Sequence, residues 1–102
     1  MGKFVLIYTG GSMPESPEAQ EAGMAAWGAW FGSLGAAVLD GGNPFGASTA
    51  VKADGSQGAT GTGAGGYSVF SADSLAAAVK LTSGCPILAV GGTVEVFEAI
   101  EM

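Results

Sequence analysis

Histidine and arginine are both absent from this chain, and only three lysines stand against nine carboxylates, a formal net charge of −6 at pH 7. Without histidine there is no ordinary neutral-pH general base and no imidazole for a transition metal. Histidine-dependent triads and HExxH zinc sites are thereby excluded. Without arginine there is no planar fork to hold a phosphate or carboxylate bidentately, and three scattered lysines build no basic stripe for a polyanion. Neither nucleic acid nor an acidic membrane is an expected partner. The lone cysteine, Cys85, leaves no intrachain disulfide, which fits a reducing compartment. Phe4 to Ile7 is too short for the apolar region of a signal peptide, and Leu6 stands where a myristoylation motif needs Ser or Thr. The expected location is cytoplasmic.

What is present is apolar. Hydrophobic residues make up 48% of the 102 residues and charged ones 12%. A chain of this length holds one domain, residues 1–102, with too few polar side chains to cover a small globule. Association with itself, as a homodimer or a higher oligomer, is the economical way to bury the remainder.

Along the chain, Lys3 to Thr9 is rich in β-branched and aromatic residues and ends at Gly10-Gly11, which reads as a strand. Both of its faces are apolar, Phe4, Leu6 and Tyr8 on one and Val5 and Ile7 on the other. It should therefore be covered twice, by helices and by a second subunit. Serines and prolines between Ser12 and Pro17, followed by Glu18 and Glu21, predict a helix from about Ser16 to Leu34. Ala19, Gly23, Ala26, Trp30 and Leu34 form one apolar stripe on it, with Met24, Trp27 and Phe31 beside it. The uncharged run Ala22 to Leu39 carries both tryptophans, but glycine and alanine dilute it and its flanks are acidic, so a packing helix is expected rather than a membrane span.

Strands are then expected at Ala36–Asp40 and Ser48–Ala53, around the turn Asp40-Gly41-Gly42-Asn43-Pro44-Phe45-Gly46. Gly55 to Gly66 reads as a flexible surface loop. A strand at Tyr67–Ser71 leads to a second helix capped by Asp73 or Ser71, with Leu75, Val79 and Thr82 on one face and Gly84 and Pro86 stopping it. Thr93–Ala99 is the last strand, with Val94 and Val96 facing opposite to Glu95 and Phe97. Two split βαβ units with an extra hairpin strand predict an α+β, ferredoxin-like βαββαβ sandwich on an antiparallel sheet.

Phe4-Val5-Leu6-Ile7-Tyr8, Ala25-Ala26-Trp27-Gly28-Ala29-Trp30, the Gly-Gly-Asn-Pro turn and Gly66-Tyr67-Ser68-Val69 occur in order along the chain, followed by Ala72-Asp73-Ser74-Leu75, Gly84-Cys85-Pro86 and Val94-Glu95-Val96. In these motifs, over nearly its whole length, the chain resembles the YCII-related family of the dimeric α/β-barrel superfamily. The resemblance implies a dimeric α/β barrel in which one sheet from each subunit faces the other. It also implies cofactor-independent chemistry of an isomerase, lyase or dehydrochlorinase type on a small ring, lactone or halogenated aromatic compound. The sequence departs from the family in lacking an Asp-Gly-Pro-Phe motif within Gly58 to Gly65 and the histidine of its proposed Asp–His dyad. Only the aspartate side remains, at Asp40.

Asp40 is the leading site residue, a carboxylate at a strand end and beside an aromatic-rich helix, where it could move a proton on a small substrate. Aspartates in such turns also bond their own backbone, with no further role. Tyr67 and Tyr8 are the candidate hydroxyl partners. Trp27, Trp30 and Phe31 could wall a ligand pocket between helix and sheet, with the amide of Asn43 to orient the ligand, although aromatics at helical spacing are more often core. Gly61 to Gly66 satisfies G-x-G-x-x-G, but a strand and not a helix follows it, so no dinucleotide site is expected. Cys85 follows a helix C-terminus and reads as an inert thiol. Glu15, Glu18 and Glu21 complement a helix dipole, so neither a metal nor a cofactor is expected. The expectation is a small dimeric protein that binds a small molecule in an aromatic cleft near Asp40. The enzyme implied by the resemblance and a purely structural accessory domain are the alternatives.

Overall fold

A computed structural model describes residues 2–11 and 15–101; the serine and proline expected to lead into the first helix, Ser12 and Pro14, lie outside the described residues. Strand β1 (Gly2–Gly10) leads to helix α1 (Pro17–Leu34), a 3-10 turn (Gly35–Ala37) and strand β2 (Val38–Asp40). The short strands β3 (Ala50–Val51) and β4 (Gln57–Gly58) precede β5 (Ala64–Ala72), helices α2 (Leu75–Leu81) and α3 (Pro86–Ala89), and β6 (Gly92–Ala99). Four strands form an antiparallel sheet in the order β2-β5-β1-β6, while β3 and β4 pair only with each other. The chain is thus α+β, with its helices gathered on one face of the sheet. No helix of the described residues is long and apolar enough to cross a membrane.

Alternation along the central strands sets the two faces. Register pairs Phe4 with Phe70, Leu6 with Ser68 and Val96, and Tyr8 with Gly66 and Val94. These positions turn toward the helices, and Phe4, Leu6, Tyr8, Ser68 and Phe70 are buried. Trp30 of α1 closes that core at 6% exposure. The other face carries Val5, Ile7 and Val69, all half-buried, and Phe97, which is 52% exposed. Within one chain β1 therefore has a single cover, and its second apolar face stays open.

Helix α1 starts where its chemistry permits. The Ser16 hydroxyl accepts the Ala19 amide at 3.1 Å, Pro17 takes the first turn, and Gly35 ends the helix at φ 57°. Its packing differs from the expected stripes. Trp30 is buried and Trp27, Phe31 and Leu34 are half-buried, whereas Ala19, Ala26 and Met24 are exposed. Large rings reach the sheet and alanine methyls do not, so the contact line follows the aromatics.

Several expected boundaries shift. The 3-10 turn uses Ala36 and Ala37, so β2 begins at Val38, and β3 is only two residues long. The glycine-rich segment read as a loop contributes β4 and the start of β5. The β3–β4 hairpin closes through Lys52 N–H to Ser56 O at 2.8 Å, Gly55 N–H to Lys52 O at 2.9 Å, and Ser56 N–H to Asp54 Oδ1 at 2.9 Å. β5 extends back to Ala64 because β1 and the Pro44–Gly66 bridge supply pairing on both sides. Ser74, and neither Asp73 nor Ser71, caps α2, accepting the Ala77 amide at 3.1 Å. Leu75 and Val79 lie on the outer side of α2, since the small Ala78 lets the helix settle on the sheet. Pro86 opens α3 as its first residue and does not simply end α2.

Candidate functional site

A cleft of about 630 Å³ lies where the end of the sheet meets α1 and the loop after β2. That size suits a small organic ligand. Tyr8, Trp27 and Phe31 form its aromatic wall, with Met24 and Ile87 beside them. Gly41 to Pro44 and the Gly65–Tyr67 segment close the other side. The Trp27 ring meets Tyr8 edge-on at 5.0 Å and 80° and lies 5.8 Å from Phe31.

The loop wall depends on Gly42. Its φ is +74°, a region unfavourable to L side chains, and an added Cβ there would overlap the Tyr67 carbonyl group. Backbone thus packs directly on backbone, with the Tyr67 amide reaching Asn43 O at 3.3 Å. Beneath this loop, the Tyr8 hydroxyl donates to Ser68 Oγ at 2.8 Å, and Ser68 donates onward to Gly41 O at 2.7 Å. The relay ties β1, β5 and the loop together and leaves neither buried hydroxyl unpaired.

Of the residues singled out from the sequence, Tyr8, Trp27, Phe31, Asn43 and Tyr67 come together around this cleft. Trp30 does not reach it; it sits in the core, packs on Phe70 at 5.6 Å and donates its indole N–H to Leu81 O at 3.2 Å. Asp40 is exposed and bonds its own turn, Oδ1 accepting the Gly42 amide at 2.8 Å, while the Tyr67 hydroxyl approaches Oδ2 at 3.4 Å. The pleat separates the two tyrosines, since Tyr67 pairs with Ile7 and Tyr8 with Gly66. Tyr67 therefore turns to the open face, where Phe45 stacks on it at 5.7 Å and 14°. Asp40 and Tyr67 thus meet on the open face, while Tyr8 lies apart from both on the cleft side.

Ser68 is the polar residue that sequence reasoning missed. Its signal was available, because it lies between the inward positions Gly66 and Phe70 of an alternating strand, where a hydroxyl must find partners. Among the described residues, no group of three acidic or cysteine side chains could hold a metal ion. Cys85 is buried, and burial raises its thiol pKa, opposing thiolate formation.

Burial also pushes Tyr8 up to about 12, against the lowering effect of its bond to Ser68. The folded state therefore holds the phenol neutral while the unfolded chain ionises near pH 10. Its stabilising contribution is full below pH 10 and is lost as pH rises toward about 12. Denaturation midpoints should fall across that window in the native chain, and the fall should shrink in Tyr8→Phe. Equal falls in both would remove Tyr8 as its source.

No protein-family model matches the chain, and a search of curated proteins finds no match.

Proposed function

We propose that this is a cytoplasmic, homodimeric protein of the YCII-related kind that binds a small molecule in the aromatic cleft walled by Tyr8, Trp27 and Phe31. The observation that carries the reading is the cleft itself, an apolar space of about 630 Å³ next to ordered backbone and aromatic rings. The strand order β2-β5-β1-β6, with helical crossovers from β1 to β2 and from β5 to β6, supports a ferredoxin-like arrangement of two split βαβ units.

The open sheet face supports the dimer. The chain exposes 6801 Å², against about 5,200 Å² expected for a folded monomer of 9.9 kDa. The surplus of roughly 1,600 Å², part of it on the β3–β4 hairpin, is enough for a stable interface. Val5, Ile7, Val69 and Phe97 would supply its apolar centre, as in a barrel closed by two facing sheets. Binding is preferred to catalysis because Asp40 and Tyr8 belong to opposite faces of the sheet and neither faces a histidine. Native mass spectrometry of the purified protein tests both parts of the reading. A dimer carrying a retained small molecule is the expected result; a bare monomer at micromolar concentration would overturn it.

A further inference from the structure

We propose that the cleft takes a weakly hydrated organic cation, a quaternary or aromatic ammonium ion, held by cation–π contact with Trp27 and its aromatic neighbours. This rests on the cleft-binding reading above and adds the charge and chemical class of the ligand.

Among the described residues the wall is electron-rich and holds no positive charge. No lysine lines it: Lys3, Lys52 and Lys80 are all exposed, on β1, in the β3–β4 hairpin and on α2. An anionic ligand would lose its water and meet no compensating cation. The hydroxyl proton of Tyr8 is committed to Ser68 and that of Ser68 to Gly41 O, so neither is free to solvate an anion. Asp40 lies on the opposite face of the sheet and does not line the cleft, but it is one of the nine carboxylates behind the net charge of −6, which makes the field of the whole chain favourable to a cation.

The same wall decides which cation. Among the described residues no carboxylate lines the cleft to replace the hydration of a primary ammonium, so a strongly hydrated amine would lose more than it gains. A quaternary or ring-delocalised cation gives up little hydration, and the rings of Trp27, Phe31 and Tyr8 can stabilise it through their quadrupoles.

Equilibrium dialysis against three probes of matched shape tests this: phenyltrimethylammonium, its uncharged isostere tert-butylbenzene, and 4-tert-butylbenzoate. The cation is expected to bind at least about fivefold more tightly than the neutral isostere, with the anion weakest. Trp27→Leu keeps an apolar wall but removes the indole, and should cost the cation about fivefold while leaving tert-butylbenzene nearly unchanged. Phe31→Leu gives the same readout at a second wall position should the Trp27 variant fail to fold. Equal or tighter binding of the neutral or anionic probe would overturn the cation assignment and leave the cleft reading standing. If no probe binds, the cation assignment falls, and a bare protein by native mass spectrometry would remove the cleft reading separately.

Discussion

Gly42→Ala is expected to destabilise the chain by at least about 3 kcal/mol. Two costs combine. At φ +74° the new Cβ would be held in a left-handed conformation, a penalty of about 1–2 kcal/mol for a non-glycine residue. It would also overlap the Tyr67 carbonyl, which is strand backbone and cannot rotate away as a side chain could. Relief requires the Gly41–Pro44 loop to lift from β5. That would break the Ser68 contact to Gly41 O and the bonds from Tyr67 N–H to Asn43 O and from Phe45 N–H to Gly65 O. Urea denaturation checks the magnitude, and Gly41→Ala is the control, because nothing lies within 4 Å of a Cβ at Gly41. Comparable midpoints for the two variants would show that the close approach to Tyr67 is not what the loop depends on.

Trp30→Ala should lose about 3–5 kcal/mol, the usual cost of emptying a large aromatic site in a core. Trp30 is the buried residue through which α1 holds to the sheet, packing on Phe70 and against Phe31, and its indole N–H satisfies the Leu81 carbonyl of α2. Its removal therefore opens a cavity and leaves an acceptor unpaired at the same time. Since small domains are stable by only about 5–15 kcal/mol in total, the variant should melt far below the native chain or fail to fold. Trp30→Phe separates the contributions, keeping most of the apolar area while giving up the bond to Leu81, worth about 1–3 kcal/mol if the carbonyl stays buried and unpaired. Thermal melts followed by far-UV circular dichroism would read both. A loss under about 1 kcal/mol for the alanine variant would mean that α1 is anchored elsewhere.

Much of the architecture was legible because it rests on short-range rules. β-branched and aromatic composition marked β1, two-residue alternation marked β6, and Ser16, Pro17 and Gly35 bracketed α1 by chemistry that operates within one turn. What failed depended on partners distant in sequence. The glycine-rich start of β5 has almost no intrinsic preference for extended structure, and it becomes a strand because β1 lies beside it. Leu75 and Val79 share a face of α2 as expected, but it is the outer one, because close packing on the sheet selected the smaller Ala78.

The site divides along the same line. The aromatic wall was legible residue by residue, since Trp27 and Phe31 follow each other at helical spacing and Tyr8 shares a face of β1 with Phe4 and Leu6. Which tyrosine belongs to which face was equally available from the β1–β5 register, but only once that pairing was known. Trp30 could not be separated from Trp27 by pattern alone. Both lie on the apolar side of α1, and a small rotation of the helix decides which ring enters the core and which borders the cleft.

The β3–β4 hairpin turns its hydrogen bonds inward upon itself, and nearly all of its side chains, Val51 among them, stay exposed. Lengthening or shortening it would leave the four-stranded sheet and its core unchanged, and the entropy of closing a longer loop rises only logarithmically. Among descendants of this sequence, insertions and deletions should therefore collect between Gly46 and Gly63, while the lengths of β1, β5 and β6 stay fixed.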